Sequence, residues 1–193
     1  MFRNGNLEAN NQVLNIDNLT YTYEDNSNKL TTVFDATNNP NGFKDDITTG
    51  NDDPTIDYFY DDNGNMISDE NKHISEIFYN HLNLPTQINF GGLGTITYLY
   101  DATGRKVKKV VNETQINTTT VTDYLNGFQY KNNVLQYFPT TEGYVNFVLD
   151  PVLADKGKYS YVYNYTDHLG NIRLSYALNP VGNLLTIVEE NNY

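Results

Sequence analysis

The chain has 193 residues, enough for one domain with a sizeable core or for a short stretch of a repeat array. Its net charge of −12 sets an unfavourable field against nucleic acid or an anionic membrane as partner. Only 38% of residues are hydrophobic, yet 17 Tyr and 9 Phe raise the aromatic share to 13%, a mixture that suits half-wet pleated sheets and argues against helix bundles and disorder.

Absences narrow the field further. With no cysteine there is neither a disulfide framework nor thiolate chemistry. No apolar run follows the first six residues as a signal peptide requires, and no stretch approaches the roughly 18 apolar residues of a membrane span.

Residues 1–18 show no clear period and read as an irregular N-terminal segment. From Leu19 a unit begins that recurs: Leu19-Thr20-Tyr21-Thr22-Tyr23-Glu24-Asp25-Asn26-Ser27-Asn28-Lys29-Leu30, in which Asn28 is expected at the turn position that Gly holds elsewhere. Residues 38–54 are rich in Asn, Pro, Gly and Asp and read as a long loop. The unit then returns as Tyr58-Phe59-Tyr60-Asp61-Asp62-Asn63-Gly64, in degenerate form at Ile77-Phe78-Tyr79-Asn80-His81-Leu82-Asn83, and as Tyr98-Leu99-Tyr100-Asp101-Ala102-Thr103-Gly104. Tyr60, Tyr79 and Tyr100 follow one another at about 20 residues, the length of one hairpin, and Tyr23 to Tyr60 is about twice that, as though two units filled the gap. Within a unit the alternation puts Ile96, Tyr98 and Tyr100 on one face and Thr95, Thr97 and Leu99 on the other.

After residue 113 the rhythm changes. Strands are expected over 119–125, 128–131, 134–138 and 144–148, joined at Asn126-Gly127, Asn132-Asn133 and Glu142-Gly143, because two-residue hairpin turns favour residues that tolerate positive φ. Near the end, Tyr159, Tyr161, Tyr163 and Tyr165 fall on one strand face. Beyond the turn Asp167-His168-Leu169-Gly170-Asn171, a second strand carries Ile172, Leu174, Tyr176 and Leu178 on one of its own faces. No amphipathic helix is evident, so the chain reads as all-β and antiparallel, with repeat hairpins over 19–113 and a second hairpin region over 114–193.

The recurring Tyr-x-Tyr-Asp-x-x-Gly, together with Tyr165-Thr166-Asp167-His168-Leu169-Gly170-Asn171-Ile172-Arg173-Leu174, resembles the bacterial Rhs or YD-repeat family and its Rhs-repeat-associated core. The resemblance implies a curved or spiralling sheet of consecutive hairpins, an open segment of a hollow shell that encloses a C-terminal polypeptide, often a toxin. It also implies a longer, secreted or surface-exposed protein whose remaining repeats are the natural partners of this segment. The family's self-cleaving aspartates lie in Asp-Pro-x-Gly motifs. The pairs here, Asp53-Pro54 and Asp150-Pro151, lack the Gly, so that role is not carried over. The residues carrying the motif are Tyr58, Tyr60, Asp61, Gly64, Tyr98, Tyr100, Asp101, Gly104, Tyr163, Tyr165, Asp167, His168, Gly170 and Arg173, all read as structural.

The same residues and their neighbours also offer candidate chemistry. Asp61 to Asn65, with Glu70 beyond, approaches a calcium loop, but the first ligand position falls on Phe59, which cannot coordinate a hard cation. The pairs Asp45-Asp46 and Asp52-Asp53 sit in turn-rich sequence and read as solvated loops rather than catalytic carboxylates. His73, His81 and His168 lack metal-ligand spacing. The basic run Arg105-Lys106-Val107-Lys108-Lys109 divides its charges between two strand faces and reads as an edge-guarding or solvated strand. Sequons at Asn18, Asn112, Asn117 and Asn164 are too easily met by chance in so Asn- and Thr-rich a chain to show secretion. The expectation is a non-enzymatic structural segment without metal or cofactor. The alternative is a self-contained aromatic sheet that binds carbohydrate or a partner protein, favoured if the Tyr159 to Tyr165 row is exposed and a glycan array gives a saturable hit, and excluded if those rings are buried in stacking.

Overall fold

The computed structural model describes residues 1–7, 12–37, 39–45, 56–149, 156–179 and 184–191. Among these, regular structure is almost entirely antiparallel strand. A three-stranded sheet holds β1 (Phe2–Leu7), β2 (Gln12–Tyr23) and β3 (Leu30–Asp35), and a separate hairpin holds β4 (Tyr58–Tyr60) and β5 (Met66–Asp69). An eleven-stranded sheet then runs through β6 (Glu76–Tyr79), β7 (Pro85–Asn89), β8 (Gly94–Tyr100), β9 (Lys106–Glu113), β10 (Thr118–Leu125) and β11 (Phe128–Lys131). It continues through β12 (Val134–Thr140), β13 (Gly143–Leu149), β14 (Gly157–Thr166), β15 (Ile172–Leu178) and β16 (Leu185–Glu190). Strand order in that sheet equals chain order, so neighbours are joined directly and no crossover occurs. A single 3-10 turn, Glu70–Lys72, is the one helical element described. No helix among the described residues is long and apolar enough to cross a membrane, which says nothing about strands.

The chain gathers into two compact units, residues 1–98 with 111–119 and residues 99–110 with 120–193. In the first, the apolar core is small: Val33, Tyr58 and Ile74 are buried. Beside them lie buried Asp17, Asp35, Asp57 and Asp69, each paired with groups that a ladder would otherwise have to satisfy. Asp35 accepts from the backbone N–H of Asn18 (2.8 Å) and from the Thr37 hydroxyl, and Asp57 accepts from the N–H of Val33 (2.7 Å). Asp17 accepts from the N–H of Phe43 (2.7 Å) and pairs with Arg3 (2.6 Å), while Asp69 caps the 3-10 turn through the Lys72 N–H and pairs with the Lys72 ammonium at 3.0 Å. These aspartates are structural pins, and no local sequence pattern marks them.

The second unit forms a core with few fully buried side chains. Val145 and Val162 are buried, as is Ser175. Directly opposite residues share a face, so Val145 lies beside Phe138 and Tyr161, whereas Val162 lies beside Tyr144 and Ala177 on the other side. The turns at Asn126-Gly127 (φ 47° and 90°) and Asn132-Asn133 (φ 49° and 65°) are the positive-φ hairpins their sequence predicts.

Several expectations are corrected. Residues 1–18 are not irregular: β1 and most of β2 occupy them, and their pairing leaves no clear period in the sequence because Asn, Gln, Gly and Asp interrupt the apolar alternation. Positive φ falls on Asn26 (57°) rather than Asn28, because this turn closes one residue wider, from the Glu24 N–H to the Lys29 carbonyl. No strand occurs among the described residues between Asp35 and Tyr58; residues 38 and 46–54 of the expected loop, where the second unit of the doubled spacing is expected, lie outside the described residues. The turn after β12 is Thr141-Glu142, with Gly143 already in β13. A Cβ on Gly143 would stand 2.1 Å from the Val162 carbonyl oxygen, so this glycine permits a close approach of strands rather than a turn. The basic run does not guard an edge: β9 lies between β8 and β10, with Lys108 paired to Asp123 at 3.1 Å.

Candidate functional site

The repeated turn is one structure built several times. In Asp61 to Asn65 the Asp61 N–H donates to the Asn65 carbonyl (2.9 Å) and the Gly64 N–H to the Asp61 carbonyl (3.0 Å). Asp101 to Arg105 and Asp167 to Asn171 repeat both bonds at 2.9 and 3.0 Å, and Asn80 to Leu84 repeats them with Asn83 in the glycine's place. Gly64, Gly104 and Gly170 have φ of 81°, 82° and 85°, and Asn83 has 56°, the left-handed position such a turn demands. In three of these hairpins the ladder slips by one residue at or just after the last Tyr before the turn, at Tyr60, Tyr79 and Tyr165.

The first residue of each turn gathers the loop around its side chain. Asp61 Oδ1 accepts from the N–H groups of Asn63 (2.9 Å) and Asn65 (2.8 Å), and Oδ2 from the Asn65 amide (2.8 Å). Asp101 Oδ1 accepts from the Thr103 hydroxyl (2.6 Å) and the N–H groups of Thr103 and Arg105, and Oδ2 from Arg105 Nε (3.2 Å). Asp167 Oδ1 accepts from the N–H groups of Leu169 and Asn171, and Oδ2 from the Asn171 amide (3.1 Å) and Arg173 Nε (2.8 Å). Asn80 keeps the two backbone bonds through Oδ1, to Leu82 (2.9 Å) and Leu84 (3.0 Å). The Asn65 side-chain donor lowers the Asp61 carboxyl below its ordinary value. Asp101 is held at about 2 by the Thr103 hydroxyl and then the Arg105 N–H. Partial desolvation pushes Asp167 up, but the bonds from Asn171, Leu169 and Arg173 outweigh it and hold the group at about 2. Carboxylates so engaged with donors are poor cation ligands, and among the described residues no cluster of three or more acidic, His or Cys side chains is placed to hold a metal.

Two of the tyrosines before the turns, Tyr60 and Tyr79, join one hairpin to the next. Tyr60 donates its hydroxyl to the carbonyl of Leu30 (2.8 Å), the first residue of β3, and Tyr79 donates to the carbonyl of Met66 (2.6 Å), the first residue of β5. The Lys29 ammonium stands 5.8 Å from the Tyr60 ring centre, and Asn65 of one turn donates to Asn83 of the next (3.1 Å). Burial raises the hydroxyls of Tyr58, Tyr60 and Tyr79 above the ordinary 10.0, with Asp69 adding to the rise at Tyr60 and Asp61 at Tyr79. Tyr58 itself is buried and accepts from the Asn71 amide (3.2 Å). Tyr98 and Tyr100 are half-buried, whereas Leu99 between them is exposed, as the alternation predicts.

On β14 the tyrosines are more exposed, although Tyr159 also donates its hydroxyl to a backbone carbonyl, that of Leu135 at 3.1 Å. Tyr159, Tyr161, Tyr163 and Tyr165 are 49%, 59%, 38% and 66% exposed and form one row along β14. Tyr161 lies 6.5 Å from Tyr163, and Tyr163 lies 5.7 Å from Tyr176 across the ladder, with Phe147 tilted against Tyr159 at 5.4 Å. His168 is exposed within its turn, and His81 likewise; His73, with φ 54°, closes the 3-10 turn. Asp45 accepts from the Asp35 N–H (3.0 Å), while Asp46, Asp52 and Asp53 lie outside the described residues.

Open concavities also lie among the described residues, two of them as follows. One, of about 490 Å³, is bordered by Glu70, His73, Ser75, Phe90 and Leu93 in the first unit. The other, about 360 Å³, has Asn146, Ser160, Val162, Ala177 and Thr186 along it in the second. In the first, the Ser75 hydroxyl donates to the Asn89 carbonyl (3.2 Å) and accepts from the Gly91 N–H (3.2 Å), which are bonds of a strand end. No protein-family model matches the chain, and no curated protein matches it. Fold and joints together define an all-β protein of hairpin-linked antiparallel strands bound by one recurring Asp- or Asn-centred turn.

Proposed function

We propose that the chain is a non-enzymatic structural segment, a wall of β-hairpin repeats that in a longer secreted or surface-exposed protein of Rhs or YD-repeat type surrounds a C-terminal cargo polypeptide. The observation that carries this reading is the latch between successive hairpins, in which Tyr60 and Tyr79 each donate to the first residue after the preceding turn. A hairpin that cannot cover its own face is stabilised by its neighbour, and a bond repeated at the same place in two successive units, as at Tyr60 and Tyr79, is what such stacking requires. The partners on this reading are further repeats and the enclosed chain. The test is sedimentation of the 193-residue chain over a range of concentrations: self-association through open strand edges is expected, and a strict monomer with one sharp unfolding transition would oppose it.

The exposed row from Tyr159 to Tyr165 favours a second reading, an aromatic sheet that binds carbohydrate or a partner protein. A glycan array followed by titration of Tyr161→Ala distinguishes the two. Saturable binding lost in the variant supports the second reading, and no binding leaves the row as one face of a wall.

A further inference from the structure

The second unit holds a pair of phenols in position for covalent coupling. Tyr163 and Tyr176 are directly opposite residues of β14 and β15, their ring centres 5.7 Å apart and their planes inclined by 26°. Opposed residues of an antiparallel pair bring their Cβ atoms within about 5.5 Å, so both rings are tethered at the same depth. Tyr163 is exposed, and Tyr161 and Tyr165 on either side of it are more so, which opens the row to an oxidant in solution. The chain has neither Trp nor Cys to reduce a tyrosyl radical once formed.

We propose that Tyr163 and Tyr176 form a dityrosine cross-link, a modification site that staples β14 to β15 across the Asp167 to Asn171 turn. The co-substrate is a peroxide acting through a haem peroxidase. Each phenol gives up one electron and one proton, and the two phenoxyl radicals join through ring carbons ortho to the oxygens. The hydrogens on those carbons then move to the oxygens and restore both aromatic rings. One peroxide takes up the two electrons and two protons and leaves as two waters. In a chain without cysteine this bond takes the place a disulfide would hold.

Competing pairs are less well placed. Tyr161 and Tyr163 are farther apart, at 6.5 Å, and share a strand, so their coupling would staple nothing. Tyr137 and Tyr144 approach to 5.1 Å, but both are half-buried and their planes are inclined by 36°, and they sit diagonally in the ladder rather than opposite one another. Met1, 72% exposed, oxidises in parallel but gains an oxygen atom, a different mass change.

The test treats the full chain with a haem peroxidase and hydrogen peroxide, followed by tryptic digestion and mass spectrometry. Trypsin cuts after Lys158 and Arg173, leaving Tyr163 and Tyr176 in the separate peptides 159–173 and 174–193. The expected product joins these two peptides, lighter than their sum by two hydrogen atoms. It forms at a yield independent of protein concentration, disappears in Tyr163→Phe and in Tyr176→Phe, persists in Tyr137→Phe, and falls at least several-fold when the chain is unfolded in urea. A closed loop within 159–173 or within 132–156, cross-links only between molecules, or an equal yield in urea would each overturn the assignment. Mapping on the unmodified sequence decides the matter even where a variant folds poorly.

Discussion

Replacing Tyr79 by Phe removes one oxygen atom and tests the idea that hairpins are held by hydroxyl latches. The bond to the Met66 carbonyl is 2.6 Å long and half-buried, so its loss is expected to cost about 0.5–1.5 kcal/mol, toward the upper part because an acceptor is left without its donor. Tyr60→Phe removes the 2.8 Å bond to Leu30 but leaves the ring under Lys29, which isolates the hydroxyl from the cation–π contact. The two latches share no partner, so the double variant should lose about 1–3 kcal/mol, the sum within about 0.5 kcal/mol. Urea titration followed by far-UV circular dichroism reads each single change as a midpoint lowered by roughly 0.3–1 M at unchanged slope. The same variants carry a pH signature. Folded Tyr60 and Tyr79 ionise above the ordinary 10.0 that the unfolded chain shows, so their contribution is fully present below pH 10 and is lost as pH rises through the higher folded values. The alkaline fall in stability should therefore be shallower in the double variant. Midpoints unchanged in both single variants, with an unaltered alkaline limb, would refute the latch.

Other outcomes follow from the turns. Asp101→Asn should keep its hairpin, because Asn80 holds the equivalent turn with an amide, whereas Asp101→Ala should fray it; amide hydrogen exchange at Thr103 and Arg105 distinguishes them. Asp101 and Asp167 titrate at about 2 when folded and near 3.8 when unfolded, so their contribution is present above pH 3.8 and is lost as pH falls toward 2. Acid titration of Asp101→Asn should show a smaller loss over that range. Gly143→Ala drives a Cβ to 2.1 Å from the Val162 carbonyl and should cost at least about 1–3 kcal/mol by forcing β13 from β14. Gly64→Ala meets no atom within 4 Å, so its cost should be only the roughly 1–2 kcal/mol of left-handed backbone, and thermal unfolding ranks the two.

By itself the sequence determined what is local. Aromatic alternation with Asn- and Gly-bearing turns specifies antiparallel hairpins, and the strands over 119–138 appear where period and turn chemistry place them, because both signals lie within a few residues. The acidic turn could likewise be read as a joint, since Asp61, Asp101 and Asp167 each bond within their own loop. What tertiary structure decided is whatever depends on a distant partner. The pairing that makes strands of residues 2–7 and 12–18 rests on register and on the Arg3–Asp17 contact, not on hydrophobic period. Asp35, Asp57 and Asp69 look like ordinary surface carboxylates until the backbone they satisfy is folded around them. The tyrosines, alike in sequence, take different roles for the same reason. Tyr60 and Tyr79 meet the carbonyl of a preceding hairpin and turn inward, while on β14 Tyr161, Tyr163 and Tyr165 keep their rings exposed and Tyr159, half exposed, still reaches the Leu135 carbonyl.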